Sequence, residues 1–275
     1  MALAHYFVDL WFAKKGKAEA TCALYGLDML VPGIKTHLIR SRRSIRGYNR
    51  LQPSTPHPPM PWTVCVSLSI WLSMKGKFAM AVGVLLSFDC YLRVGELLKL
   101  VREDFATGSD ARLGMGDDDY RVCLNLRRTK TGEYKGVDIK DEQVKALVCL
   151  LLKHVKPDHR VFPFHESTYR RWFDRGIAAM GVSSDYVPHS LRHGGATRDY
   201  HNGMQLADVM LRGRWQATKS ATHYIQQGRQ LMMLRYVPSW VDQSGRLAGR
   251  YLVVSILLAL SQNTKVSVGS HLLSL

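Results

Sequence analysis

The sequence predicts a mainly α-helical protein with a small antiparallel β-meander inserted. Two observations carry the class. Apolar residues recur at helical spacing over most of the chain, whereas residues 120–126 alternate apolar and polar, the pattern of a half-buried strand. A third observation divides the chain. Five prolines fall in the segment 53–61, which cannot continue a helix and reads as an extended linker. Residues 1–52 form a helical, basic segment before it. Beyond the linker, helical patterns cover about residues 62–74 and 78–91, and a short helix follows at 93–98. The strand at 120–126 comes next, then a turn around Thr131 and Gly132, and residues 136–139 return as a second strand. Helical patterns resume at 141–154, 169–180, 190–201, 204–212 and 218–226. The larger unit is expected to end near residue 240. The tail 241–275 stays open: its apolar part fits a helix packing on a neighbouring subunit, a strand, or an extension from a wrongly assigned gene end.

Composition narrows the partner. With 46% hydrophobic residues in 275, the chain can bury a sizeable core, which excludes global disorder. Lysine and arginine number 38 against 22 acidic residues, a formal charge of +16 that favours a polyanion. No basic amphipathic helix stands out, so nucleic acid is expected rather than a membrane surface. Arg40, Arg43, Arg46 and Arg50 recur at three- to four-residue spacing, which aligns them on one helix face. That face is either a solvated charged surface or a stripe that tracks phosphates. The five cysteines (Cys22, Cys65, Cys90, Cys123 and Cys149) are widely spaced without a C-x-x-C pair, as expected of reduced thiols. The N-terminus has no secretory pattern, and the apolar run at 251–260 is short of the roughly 20 residues a spanning helix needs. An intracellular protein without a membrane partner is expected.

The chemistry lies in one ordered set of residues. Pro188-His189-Ser190-Leu191-Arg192-His193-Gly194-Gly195-Ala196-Thr197-Arg198 holds an H-x-x-R pair at the opening of a helix. Downstream come Leu211-Arg212-Gly213-Arg214-Trp215 and then Thr222-His223-Tyr224-Ile225, with Tyr224 nine residues after Trp215. Upstream, Leu92-Arg93-Val94-Gly95-Glu96-Leu97 opens a short helix on an arginine, with glutamate three residues later. Arg128-Thr129-Lys130-Thr131-Gly132 lies between, a lysine at a hairpin turn. Arginine presents a planar fork that pairs two phosphate oxygens and stays charged at physiological pH. Histidine accepts a proton near neutrality, and lysine can give one to a departing oxygen. A tyrosine hydroxyl can be a covalent nucleophile, but its free pKa of about 10 demands assistance. Taken singly, Tyr224 reads as a packed aromatic and Arg93 or Arg192 as a surface cation. Their order and spacing carry the signal.

This set resembles the tyrosine recombinase (phage integrase) family, and within it the Cre type, over about residues 62–237. The resemblance implies a tyrosine recombinase catalytic-domain fold preceded by a helical DNA-binding domain, the core-binding domain. With only about fifty residues ahead of the linker, that domain is expected to be truncated. It also implies roles. Arg93 and Arg192 would grip a scissile phosphate, His189 would act as base or hydrogen-bonding partner, and Lys130 as acid to the leaving 5′ oxygen. Trp215 would donate its indole N–H to a phosphate oxygen, Tyr224 would attack, and Glu96 would orient the cluster. Arg128 and the arginines of residues 40–50 would contact DNA. Lys130 has a rival in Lys135 on the same hairpin. The implied mechanism needs no cofactor, neither metal nor nucleotide, and the implied working form is a homotetramer on double-stranded DNA. The Gly-Arg-Trp and Ala-Thr-His-Tyr-Ile neighbourhood resembles recombinases carried by eukaryotic mobile elements, DIRS-like retrotransposons and Cryptons among them; a eukaryotic host would imply the nucleus. Two alternatives remain open, a catalytically inactive, truncated DNA-binding remnant and a type IB topoisomerase. A metal site built on His189 and His193, one helical turn apart, finds no third ligand in a plausible context and no H-E-x-x-H glutamate.

Overall fold

A computed structural model describes residues 2–15, 17–51, 57–108, 121–129 and 132–262. The chain divides into two compact units, 1–56 and 57–275.

The first unit is built from α1 (Ala2–Phe12), α2 (Lys17–Leu30), the single turn α3 (Ile34–His37) and α4 (Ile39–Leu51). Its small core holds Phe7, Leu10, Ala20 and Leu24, with Leu38 and Ile45 packed against them. Tyr48 fastens α4 to the end of α1. Its ring meets Trp11 edge-on at 4.8 Å, and its hydroxyl donates to the Lys15 carbonyl. That leaves Arg40, Arg43, Arg46 and Arg50 all exposed, while Ser41 and Tyr48 turn inward. Contrary to the reading from composition, α4 is therefore a basic amphipathic helix.

The second unit is organised around α5 (Trp62–Met74) and α6 (Phe78–Asp89). Both are apolar on nearly every side because each is covered by several neighbours: α5 by α6, α9 (Glu166–Ala179), α14 (Ser239–Arg250) and α15 (Leu252–Ser261), and α6 by α8 (Glu142–Leu152) and α10 (Pro188–His201). Three buried serines on α5 are satisfied locally or by the tail. Ser69 and Ser73 donate to carbonyls one turn back, and Ser67 donates to the Val241 carbonyl at 3.1 Å. The described part of the tail left open by the sequence, as far as residue 262, is thus the helices α14 and α15. Val241, Leu252 and Ile256 lie in the main core. Among the described residues no single helix is long and apolar enough to cross a membrane; α14 and α15 meet that criterion only jointly, and they are bent by 108°.

The sheet is an antiparallel meander, β1 (Phe105–Thr107), β2 (Val122–Thr129) and β3 (Gly132–Asp138), with Leu124 opposite both Phe105 and Val137. Three residues are too few to show alternation, so β1 was not legible in sequence. Lys130 and the side chains of Arg128 and Lys135 lie outside the described residues. The described part of the proline segment, from His57 onward, belongs to the second unit. Pro58, Pro59, Met60 and Pro61 are buried, and the Met60 N–H donates to the Ser190 carbonyl at 3.0 Å.

Candidate active site

The site forms where α10 passes the end of α6. A helix can pass so closely because α10 carries glycine there: a Cβ on Gly195 would stand 2.0 Å from the Phe88 carbonyl oxygen. Pro188 occupies the first turn of α10, where its missing N–H costs nothing. His189 and Arg192 follow on one face, a turn apart. The chain leaves α6 through Cys90 and Tyr91, whose positive φ of 50° turns its carbonyl inward. Arg93 then caps α7 (Val94–Leu97). Glu96 closes that turn by accepting from the Arg93 N–H at 2.9 Å and from the Arg93 guanidinium at 2.5 Å.

Tyr224, the last residue of α12 (Thr218–Tyr224), is half-buried at the centre of this arrangement. Its ring stacks on Trp215 at 4.7 Å and lies 4.4 Å from the His193 ring and 5.5 Å from the His189 ring. The Arg192 guanidinium carbon sits 5.1 Å from the Tyr224 ring and 4.7 Å from that of Trp215. Arg192 is completely buried, donating to the Tyr91 carbonyl and, at 2.6 Å, to the Gly213 carbonyl. Thr197 on α10 ties down the end of α12 by donating to the Tyr224 carbonyl at 3.1 Å. Arg93, Glu96, His189, Arg192, Trp215 and Tyr224 are therefore brought together from three helices and the loop after α11 (Leu206–Gly213).

The electrostatics suit an anion. Burial, then the charges of Arg192, His57 and Arg93, pull His189 down to about 4, so its imidazole is neutral near pH 7 and keeps a lone pair that can accept a hydrogen bond. Burial and the neighbouring histidines take His193 to about 3. Burial and the nearby charges of Arg214 and Arg93 lower Arg192 as well, a repulsion that a phosphate would relieve. Burial raises the Glu96 carboxyl, but Arg214, the Arg93 N–H and the charges of Arg93 and Arg192 together hold it below its ordinary value. Two buried donors, Arg192 Nε and Trp215 Nε1, have no hydrogen-bond partner among the described residues. Buried donors are rarely left in that state. No group of three or more metal-binding side chains occurs among the described residues.

Sequence reasoning passed over three participants. His57, from the proline segment, faces His189 at 6.0 Å. Gln226 meets His193 Nδ1 at 3.1 Å. Arg214 is buried and pairs with Glu96 at 2.9 Å. No periodicity marks any of them, because each is recruited by tertiary contact.

This helical unit with its three-stranded antiparallel sheet is the tyrosine recombinase catalytic fold. The chain belongs to the phage integrase family, whose model matches residues 72–230, more than half of its length. Among solved structures it resembles the Tn1549 transposon integrase in complex with circular intermediate DNA, at 15% identity and a TM-score of 0.55, covering 83% of each chain. It also matches XerA recombinase at 18% identity and a TM-score of 0.48, covering 86% of this chain and 91% of that one. XerH recombinase bound to difH, in a pre-cleavage complex, matches at 14% identity and 0.47, covering 81% and 72%. No curated protein sequence matches significantly.

Proposed function

We propose that this chain is a site-specific DNA recombinase or integrase that cleaves and rejoins duplex DNA through a 3′-phosphotyrosine. The observation that carries the reading is the convergence of Arg192, Trp215 and His189 on Tyr224, with Arg93 held by Glu96 beside them. Arg93 and Arg192 grip the scissile phosphate and stabilise the charge that develops on it. The Tyr224 oxygen attacks phosphorus, the bond to the 5′ oxygen breaks, and the leaving oxygen takes a proton from Lys130. His189 accepts the tyrosine proton or hydrogen-bonds the phosphate, and the Trp215 N–H donates to a phosphate oxygen. Glu96 orients the cluster. A second 5′ hydroxyl then attacks the phosphotyrosine and releases Tyr224, so neither metal nor nucleotide is required.

Double-stranded DNA is the proposed partner. Arg128 and the exposed arginines of α4 track its backbone, and the charge of +16 supports that role. The working form is a homotetramer that exchanges a C-terminal element; exposed Leu247, Val254 and Leu258 on α14 and α15 support a further subunit contact. The Gly-Arg-Trp motif supports a Cre-type enzyme from a eukaryotic mobile element of the DIRS or Crypton kind, acting inside the cell, in the nucleus.

Covalent trapping tests the reading. Wild-type protein and Tyr224→Phe are incubated at low salt with nicked, end-labelled duplex from the flanking genomic sequence, then run on a denaturing gel. A 3′-linked adduct from the wild type alone supports it. An adduct from Tyr224→Phe moves the nucleophile elsewhere, and binding without any adduct favours an inactive remnant.

A further inference from the structure

Arg214 is an unusual residue in its place. It caps α11 in the left-handed region, φ 58° and ψ 37°, a conformation that costs a non-glycine residue energy and persists where the surroundings require it. Its side chain is 1% exposed. The guanidinium donates to the carbonyls of Cys90 at 3.3 Å, Arg212 at 3.1 Å and Tyr91 at 2.9 Å, and to Glu96 Oε2 at 2.9 Å. Two of these acceptors are shared. The Tyr91 carbonyl also accepts from Arg192, and Glu96 also accepts from Arg93. Tyr91 is itself at positive φ, so two strained residues meet at one carbonyl.

We infer that Arg214 is a positioning residue for the strand-cleavage reaction: it locks Arg93, through Glu96, and Arg192, through the Tyr91 carbonyl, into one rigid phosphate cradle. The inference rests on the recombinase reading. The terminal nitrogens of Arg214 are directed to three carbonyls and to Glu96 rather than to solvent. Its fork reaches one acceptor belonging to each of the two phosphate-binding arginines, and its neighbour Trp215 stacks on Tyr224. One side chain therefore couples the turn carrying Arg93, the helix carrying Arg192 and the loop leading to the nucleophile. A lysine would keep the charge but lacks the planar fork that serves Glu96 and the Tyr91 carbonyl together. Glycine accepts the left-handed backbone without strain and removes only the side chain.

The test is single-turnover cleavage of nicked duplex by wild type, Arg214→Gly and Arg214→Lys, with DNA affinity measured in parallel. The glycine variant is expected to bind DNA as wild type does and to form adduct about 100-fold more slowly, the scale of a small misplacement of reacting groups. Added methylguanidine should restore part of that rate and leave the wild type unchanged. Cleavage by Arg214→Gly at the wild-type rate overturns the inference, as does a loss in the folded variant that methylguanidine leaves untouched. Should the glycine variant fail to fold, Arg214→Lys decides: slower cleavage at unchanged affinity supports the inference, and the wild-type rate overturns it. Absence of adduct from the wild type overturns the recombinase reading, and this inference with it; a wild-type adduct matched by the variants overturns this inference alone.

Discussion

The phenol of Tyr224 lies on the indole of Trp215, centroids 4.7 Å apart and planes 30° from parallel. The indole thus does two things. Its face supports the proposed nucleophile, and its buried Nε1 is a donor without a partner among the described residues. Trp215→Phe separates them, because phenylalanine keeps a stacking face and loses the N–H. We expect this variant to bind DNA and melt close to wild type while cleaving about 100-fold more slowly, the loss typical of one transition-state donor. Trp215→Ala should in addition lose about 3 kcal/mol of stability. Denaturant titration beside single-turnover adduct formation reads both. Unchanged cleavage by Trp215→Phe would show that the N–H takes no part.

Arg192 is not the surface cation that it reads as when taken singly. It is fully buried and satisfies the carbonyls of Tyr91 and Gly213. Arg192→Ala should therefore lose both cleavage and about 2–3 kcal/mol of stability, since the Gly213 carbonyl is left buried without its donor. Arg192→Lys should recover part of the stability and none of the cleavage, because an ammonium cannot span both carbonyls and still present a fork to a phosphate. Urea unfolding of both variants, beside covalent trapping, checks this. An alanine variant as stable as wild type would deny Arg192 its structural part.

These contacts mark what sequence can and cannot show. The spacing from His189 to Arg192 was legible because one helical turn sets it, and Arg93 with Glu96 because the same pair makes a capping turn. The exposed arginines of α4 were legible from periodicity, although the amphipathic character of that helix was not drawn from composition. Arg214, His57 and Gln226 carry no local signal; each is defined by what lies across the fold. The tail was unreadable for a related reason. Its apolar residues cover α5, whose burial on nearly all sides erases the amphipathic stripe that would have announced a partner.

Acid should weaken the second unit through its histidines. His189 and His193 are held at about 4 and about 3 in the folded chain, chiefly by burial. In the unfolded chain they titrate near about 6.5. As pH falls through that value the unfolded state takes up protons first, so stability declines from about pH 6.5 and levels off only below the folded values. His193→Gln, which keeps an amide to meet Gln226, should reduce the slope of stability against pH between about 6 and 4 by close to one proton. Urea titrations across that range measure it. A variant with the wild-type slope would mean that His193 titrates normally when folded. Cleavage that depends on neutral His189 should likewise hold its second-order rate from about pH 8 to below about pH 6.

The docking of the tail rests on Gly245. A Cβ there would stand 2.2 Å from the Thr63 carbonyl oxygen on α5, and backbone cannot swing aside as a long side chain can. Gly245→Ala must therefore push α14 away from α5. Val241 would leave the core, and its carbonyl would lose the Ser67 hydroxyl. We expect a loss of about 2–3 kcal/mol, the range of an overpacked core. Amide exchange should accelerate along α14 and α15 before it does along α10, since local openings follow the elements that lose contacts. The proposed catalytic cluster draws no residue from α14 or α15, so adduct formation at low temperature should survive the change. Equal protection of α14 in the variant and the wild type would mean that α5 can yield at Thr63 and that the close approach is not what holds the tail.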